Sequence, residues 1–136
     1  MSYRHTGKQE YLDTAKKIAH YFIANIPESG LIPVDFRQPP EPDWCDDTAG
    51  AIAACGLIEI SRQVSENEKR MYLNPAVKLL KSLYQNHCDF SGEKEHILEK
   101  CTAAYHNKEH EFSIIYGDYF VLEAMLKLKG NDVFLW

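Results

Sequence analysis

The sequence predicts an all-α fold built from α/α hairpins. Four stretches repeat apolar residues at intervals of three and four, which is the spacing that places side chains on one face of a helix. Longer connections join these stretches as helix–loop–helix, twice over, which is typical of paired antiparallel helices. A chain of 136 residues has room for one core, so we expect residues 1–136 to form a single domain.

The first two helices come from the N-terminal half of the chain. The first is predicted from Gln9 to Ile26, where Pro27 ends it. The second is predicted from Thr48 to Gln63, where small and apolar residues occupy nearly every side of positions 49–58. A helix that is apolar all round is buried. We therefore expect an inner helix that needs more neighbours than this chain supplies.

Specific residues of the second helix have predicted structural roles. Asp46 or Asp47 precedes the helix and is placed to cap its exposed amides. Gly50 and Gly56 are interpreted as positions where neighbouring helices approach closely, since glycine has no side chain to keep them apart.

The third and fourth helices have clear boundary signals. Asn74 followed by Pro75 predicts a helix start, because asparagine caps and proline is preorganised for the first helical position. The fourth helix is predicted from Ile115 to Lys129, and Gly130 is a typical residue just beyond a helix C-terminus.

Two long connections join these helices. Residues 27–45 contain five of the six prolines and also hold Asp35, Phe36 and Trp44. Connections of this length are often functional. Residues 90–113 are expected to contain short strand-like pieces.

Composition excludes several classes of function. The net charge of −5 and the absence of a clustered basic patch argue against nucleic-acid binding. The four cysteines have no CxxC spacing, which fits a reduced, cytoplasmic protein. The chain opens without the apolar region of a signal peptide, and no apolar stretch approaches the length of a transmembrane helix. We therefore expect no membrane partner.

Catalytic and metal-binding patterns are sparse. His106 and His110 have HxxxH spacing with Cys101 five residues earlier, but without a fourth ligand this is a weak zinc signal. No Ser/His/Asp order or glycine-rich phosphate loop is visible. We therefore expect no catalytic residue, no metal and no cofactor in this chain.

Two longer motifs point to a known family. Residues 51–60 read AIAACGLIEI and residues 114–124 read IIYGDYFVLEA. Weaker matches lie at residues 3–7 and 32–36. Taken in their order along the chain, the motifs resemble those of the unsaturated glucuronyl hydrolases, glycoside hydrolase family 88.

The resemblance implies both a fold and an activity. It implies an (α/α)6 toroid of twelve helices, of which this chain would form about four as the C-terminal third. It also implies hydrolysis of unsaturated uronic-acid oligosaccharides by acid–base hydration of a double bond. The catalytic aspartates of the family lie in the first two-thirds of the toroid, and no segment here matches their motifs.

The predicted function follows from that absence. We expect a partial glycoside hydrolase of the unsaturated uronyl hydrolase type that is inactive alone. Its expected partners are an unsaturated uronide oligosaccharide and either further copies of itself or a missing N-terminal segment. The alternative is a small helical protein-interaction module without catalysis.

The resemblance also suggests substrate-binding positions. Asp46 could line the cleft or cap its helix, and Trp44 could be a sugar platform or a loop plug. Lys100 stands where the family often has histidine before a Cys-Thr or Gly-Thr pair, and Cys45 stands where it often has arginine. The full candidate set is Asp35, Phe36, Trp44, Asp46, Lys100, Tyr116 and Asp118.

Overall fold

The computed structural model describes residues 1–131, which form five helices. In chain order these are α1 (Ser2–Thr6), α2 (Gln9–Ala24), α3 (Asp47–Ser61), α4 (Glu66–Asn86) and α5 (Ile115–Leu128). Within the described range, β-type pairing is limited to isolated bridges. The all-α prediction is confirmed. The helix that periodicity did not predict, α1, is one short turn that ends at the left-handed Gly7.

Helix α3 lies at the centre of this arrangement. It packs mainly against α4 and α5 and more sparsely against α2. Ala51 and Ala54 have no exposed surface. Ile52 is 43% exposed, however, and Gly56 on the same stripe is exposed as well. The inner-helix prediction is therefore confirmed for most of the circumference, and residues 1–131 leave one apolar stripe uncovered.

The predicted start of the third helix at Asn74 is wrong, because α4 begins at Glu66 and Pro75 lies inside it. The Ser65-x-x-Glu68 sequence has the spacing of a capping box, and the Ser65 carbonyl accepts the amides of Glu68 and Lys69. Pro75 removes one helical hydrogen bond, to the carbonyl of Met71. Because Met71 is exposed, water can reach this part of the helix and compensate for that loss.

The uncovered stripe of α3 forms one wall of an apolar groove, which we call the α2–α3 groove. It encloses about 270 Å³ between α2 and α3, and all of its lining residues are apolar. Its members are Ala15, Ile18, Ala19, Phe22, Ala53, Gly56, Leu57 and Ile60. Since α2 and α3 meet only sparsely, this groove is wide enough to be filled by further apolar side chains.

Isolated antiparallel bridges stabilise the two long connections. Pro33 pairs with Cys45 in the first, so the proline-rich chain returns to the start of α3. In the second, Cys88 pairs with Leu98 and Cys101 with Phe112. The expectation of strand-like pieces in this second connection is thus confirmed as isolated bridges.

Among the glycines that lie inside helices, the most tightly packed is Gly117, which the sequence did not single out. A Cβ atom there would lie 2.6 Å from the Cys101 sulfur and 3.2 Å from a Leu98 methyl. At Gly50 a Cβ would make only ordinary contacts, and at Gly56 it would meet nothing within 4 Å. The close-packing interpretation is therefore wrong for Gly56, because this residue faces the open groove.

Along residues 1–131, no helix combines the length and the apolar character that crossing a membrane requires.

Two glycine variants test this packing. Gly117→Ala should lower the free energy of unfolding by about 1–3 kcal/mol, because the added methyl overlaps the buried Cys101 sulfur. Gly56→Ala should be neutral or stabilising by up to about 1 kcal/mol, since alanine favours the helix and has open space. Urea unfolding measures both. A Gly117→Ala protein at least as stable as the parent would contradict this account.

The cysteines give a second prediction. Burial raises the pKa of Cys45 to about 11 and that of Cys55 and Cys88 to about 12, and it also raises the pKa of Cys101. Since the thiolate is the reactive form, a disulfide reagent should label the native chain about a hundredfold more slowly than free cysteine. All four thiols should react after unfolding in urea. Rapid native labelling of Cys45, Cys55 or Cys101 would argue against their buried placement.

Candidate functional site

The N-termini of α3 and α5 lie at the same end of the molecule and share one structural element, residues 97–102. We call this element the rim segment. Asp46 is the N-cap of α3, Asp47 is its first residue, and Asp118 lies in the first turn of α5. Helix N-termini favour negative charge, because their amides carry partial positive charge. All three carboxylates also contact the rim segment.

Every backbone amide of the rim segment has a hydrogen-bond acceptor. Asp118 Oδ1 accepts the amides of Ile97 and Leu98 at 2.9 and 2.8 Å. The amide of Lys100 donates to Asp47 Oδ2 at 2.9 Å, and that of Thr102 to Asp46 Oδ1 at 3.2 Å. The two remaining amides, at positions 99 and 101, donate to backbone carbonyls. All six consecutive amides therefore have acceptors, and three carboxylates accept four of these amides.

Burial shapes the charge of two of these aspartates. Burial raises the pKa of Asp46, and the amides of Thr102 and Thr48 partly oppose this. Burial also raises the pKa of Asp47, and the neighbouring His87 opposes it. Asp47 has no exposed surface. Both oxygens of Asp47 and Oδ1 of Asp46 thus accept hydrogen bonds from the protein itself, which gives both residues a structural role at the start of α3.

A second layer of contacts surrounds Glu111. This residue has a left-handed backbone with φ 56°, a conformation that non-glycine residues adopt only where their surroundings enforce it. Its Oε1 accepts the amide of Cys45 at 3.2 Å and lies 3.3 Å from Lys100 Nζ. Its own amide donates to Thr102 Oγ1 at 3.1 Å. Glu111 therefore links the chain before α3 to the rim segment.

The Lys100 side chain remains accessible at this position. Its side chain is 42% exposed, and Glu111 is its ion-pair partner. An ammonium group carries three N–H donors, so Lys100 retains capacity for a further acceptor such as a carboxylate.

Trp44 belongs to an aromatic cluster beside the rim segment. The His110 ring stacks on it with centroids 3.6 Å apart and planes 8° from parallel, and Tyr105 meets it edge-on at 6.2 Å. The Nε2 atom of His110 lies 3.0 Å from the Tyr105 carbonyl, so it carries the proton. One face of Trp44 is thus covered by the loop that follows the rim segment.

The structure places the sequence-predicted residues in two groups. Trp44, Asp46, Lys100 and Asp118 all lie around the rim segment. Tyr116 is 65% exposed in the first turn of α5.

Asp35 and Phe36 form the other group, in the proline-rich connection. Asp35 accepts the amide of Arg37 at 2.7 Å in a tight local turn. Phe36 packs edge-on against Phe22 of α2, with ring centroids 5.3 Å apart.

Sequence reasoning missed His87 and Glu111. Both act through contacts with residues 40 and 66 positions away in the chain, as in the pairs His87–Asp47 and Glu111–Cys45. The spacing of residues along the sequence does not predict contacts between positions so far apart. As for metals, residues 1–131 contain no group of three or more His, Cys, Asp or Glu side chains arranged to hold an ion.

The chain is similar in sequence to several known proteins, although no protein-family model matches it. The sequence is 34% identical to an unsaturated glucuronyl hydrolase of Bacillus sp. strain GL1, over 98% of this chain and 37% of that protein. It is 26% identical to an unsaturated chondroitin disaccharide hydrolase of Streptococcus pneumoniae strain R6, over 100% of this chain and 36% of the relative. The chain thus spans somewhat more than a third of the length of these proteins.

The fold agrees with this relationship. The crystal structure of the Bacillus sp. GL1 unsaturated glucuronyl hydrolase superposes with a TM-score of 0.86 at 33% identity, covering 93% of this chain and 35% of that structure. The predicted α/α toroid is thereby confirmed as the fold to which these helices belong. The chain belongs to the unsaturated glucuronyl hydrolase family and corresponds to a C-terminal portion of its α/α toroid.

Proposed function

We propose that this chain supplies the C-terminal part of a glycoside hydrolase acting on unsaturated uronic-acid oligosaccharides, and that it is inactive without the remaining helices of the toroid. The observation that carries the proposal is the α2–α3 groove. It exposes an apolar stripe on a helix whose other sides are fully buried. Apolar area of this kind gains free energy when it is covered.

The uncovered groove fits the missing part of a helical ring. In a toroid each inner helix has inner neighbours on both sides. Here α3 has α5 on one side, while Ile52 and Gly56 remain open on another. The relatives have nearly two-thirds of their length outside the matched region. We propose that helices corresponding to that length cover the groove.

The rim segment supports a binding role more than a catalytic one. General acid–base chemistry needs a carboxyl group free to exchange a proton with the substrate. Asp46, Asp47 and Asp118 instead hold backbone amides. Lys100 has an exposed side chain that can pair with the carboxylate of a uronide. We therefore propose that the chain contributes substrate contacts and that the acid and base come from the other part of the toroid.

The two aromatic residues near the rim fit the same class of ligand. Tyr116 presents an exposed ring and hydroxyl at the start of α5. Trp44 is half-buried, with one face against His110. Aromatic rings bind the apolar faces of sugars while polar groups fix their orientation. Asp35 and Phe36 are proposed as outer contacts from the proline-rich connection.

Complementation tests the proposal directly. The chain alone should leave an unsaturated uronide disaccharide intact, as followed by the ultraviolet absorbance of its conjugated double bond. Turnover should appear when the chain is mixed with the N-terminal two-thirds of the Bacillus relative. Ile18→Gln in the groove should abolish complementation, whereas Lys17→Gln, on the exposed side of the same helix, should not. Turnover by the chain alone would overturn the proposed inactivity, and a failure of complementation would count against the proposed role.

The same groove underlies the expectation of self-association. In the absence of the other helices, a second copy would be the available partner for this apolar surface. Light scattering of the parent and of Ile18→Gln measures the molar mass of each in solution and so tests for self-association. A monomeric parent at tens of micromolar, roughly the concentration at which weak patches associate, would exclude the homo-oligomer.

Lys100→Met tests the proposed uronide contact. Losing one charge-assisted contact should raise KM in the complemented enzyme about tenfold with little change in kcat, because binding rather than chemistry is affected. Lys129→Met, beyond the opposite end of α5, is the matched control. An unchanged KM for Lys100→Met would remove this residue from the binding site.

A further inference from the structure

His87 follows the last residue of α4 and is 9% exposed. Its Nδ1 atom lies 2.8 Å from Oδ1 of Asp47, which has no exposed surface. Since an ionised carboxylate can only accept, the Nδ1 atom carries the proton. The backbone carbonyl of His87 also accepts the amide of Glu99 at 3.1 Å. His87 therefore contacts the rim segment in two ways: directly through its carbonyl, and indirectly through the Asp47 carboxylate.

Asp47 transmits the contact to Lys100. While Oδ1 faces His87, Oδ2 accepts the Lys100 amide at 2.9 Å, and the Asp47 amide donates to the Lys100 carbonyl at 3.0 Å. Because each oxygen is engaged by a different partner, the orientation of the carboxylate is fixed by both contacts. Removing the His87 donor would free Oδ1 and allow the carboxylate to rotate away from Lys100.

We infer that His87 is a positioning residue: through the Asp47 carboxylate it fixes the backbone of Lys100 and, with it, the rim segment. Its importance for a uronide rests on the proposed function, because Lys100 is the proposed contact. The fixing of the backbone does not depend on any ligand. Three features carry the inference: the short His87–Asp47 contact, the burial of both residues, and the bidentate use of Asp47.

Three substitutions at His87 separate a hydrogen-bonding role from space filling. In asparagine the side-chain nitrogen is bonded to Cγ, as Nδ1 is in histidine, so His87→Asn keeps a donor facing Asp47. His87→Gln places its nitrogen nearer the position of Nε2. His87→Phe keeps a ring but has no donor. We expect His87→Asn to hold the Lys100 backbone nearly as firmly as the parent does. We expect His87→Gln and His87→Phe to hold it less firmly.

Amide hydrogen exchange of the full chain, measured by NMR, provides the readout. Exchange of the Lys100 amide should accelerate about tenfold or more in His87→Phe and His87→Gln, which is the expected effect of weakening a hydrogen bond to a charged acceptor. His87→Asn should stay near the parent rate. The Leu57 amide in α3 is the internal reference, because it should exchange at one rate in all variants that remain folded.

A double variant tests whether the effect passes through Asp47. Asp47→Ala removes the acceptor, so adding His87→Phe to it should change Lys100 exchange no further. Additive effects of the two substitutions would overturn the inference. Equal Lys100 exchange in the Asn, Gln and Phe variants would overturn it as well, because the donor would then be irrelevant.

A measurement on the parent protein covers the case in which the variants fail to fold. The imidazole ¹H–¹⁵N spectrum should show a proton on Nδ1 of His87 that exchanges slowly with solvent. A proton on Nε2 alone would overturn the inference. None of these measurements uses substrate, so a failure of complementation would affect the proposed function and leave the role of His87 standing.

Discussion

The constraint on which the structure depends is that α3 has no polar side between residues 49 and 58. Such a helix is stable only when other elements remove its surface from water. Helix α4 covers one side and α5 another, and each contributes buried residues, such as Leu79 and Val121. The side left over is the α2–α3 groove. The five helices therefore leave this side of the core uncovered.

A second constraint acts at the end where α3 and α5 begin. The rim segment crosses both helix starts without forming a regular strand, and a buried backbone amide without a partner is costly. No neighbouring strand runs along it in the described structure. Asp46, Asp47 and Asp118 supply carboxylate acceptors for its amides instead. Each carboxylate also lies where the helix dipole favours negative charge, so one residue type satisfies two requirements.

Much of the fold could be predicted from sequence, because it follows from burial and from caps that are local in the chain. The periodicity located four helices, and the composition of α3 predicted its central place. The start of α4 was misplaced because Asn74-Pro75 is a strong start signal when considered alone. The Ser65 carbonyl, which accepts the first helical amides, and the buried Tyr72 in the preceding turn outweigh that signal. A solvent-accessible helix also tolerates one proline.

The candidate site was less predictable because its contacts span large separations in sequence. Aspartates before α3 were recognisable as caps, but which backbone amides they hold depends on how residues 97–102 cross the helices. The same holds for Gly117, whose packing against Cys101 is a contact between α5 and the rim segment. Glu111 and His87 become meaningful only once that crossing is known. Sequence spacing identifies residue types near a site, while tertiary contacts assign their roles.

These roles divide the candidate residues in a way that bears on the proposed function. A carboxylate oxygen that already accepts a buried amide cannot turn to a ligand without leaving that amide unpaired, which costs about 1–3 kcal/mol. Oδ1 of Asp46, Oδ2 of Asp47 and Oδ1 of Asp118 are in this position. Lys100 and Tyr116 are not, since their side chains retain exposed polar groups. If a uronide binds at this end of the helices, the exposed pair is free to contact it, while the aspartates keep the backbone beneath in place.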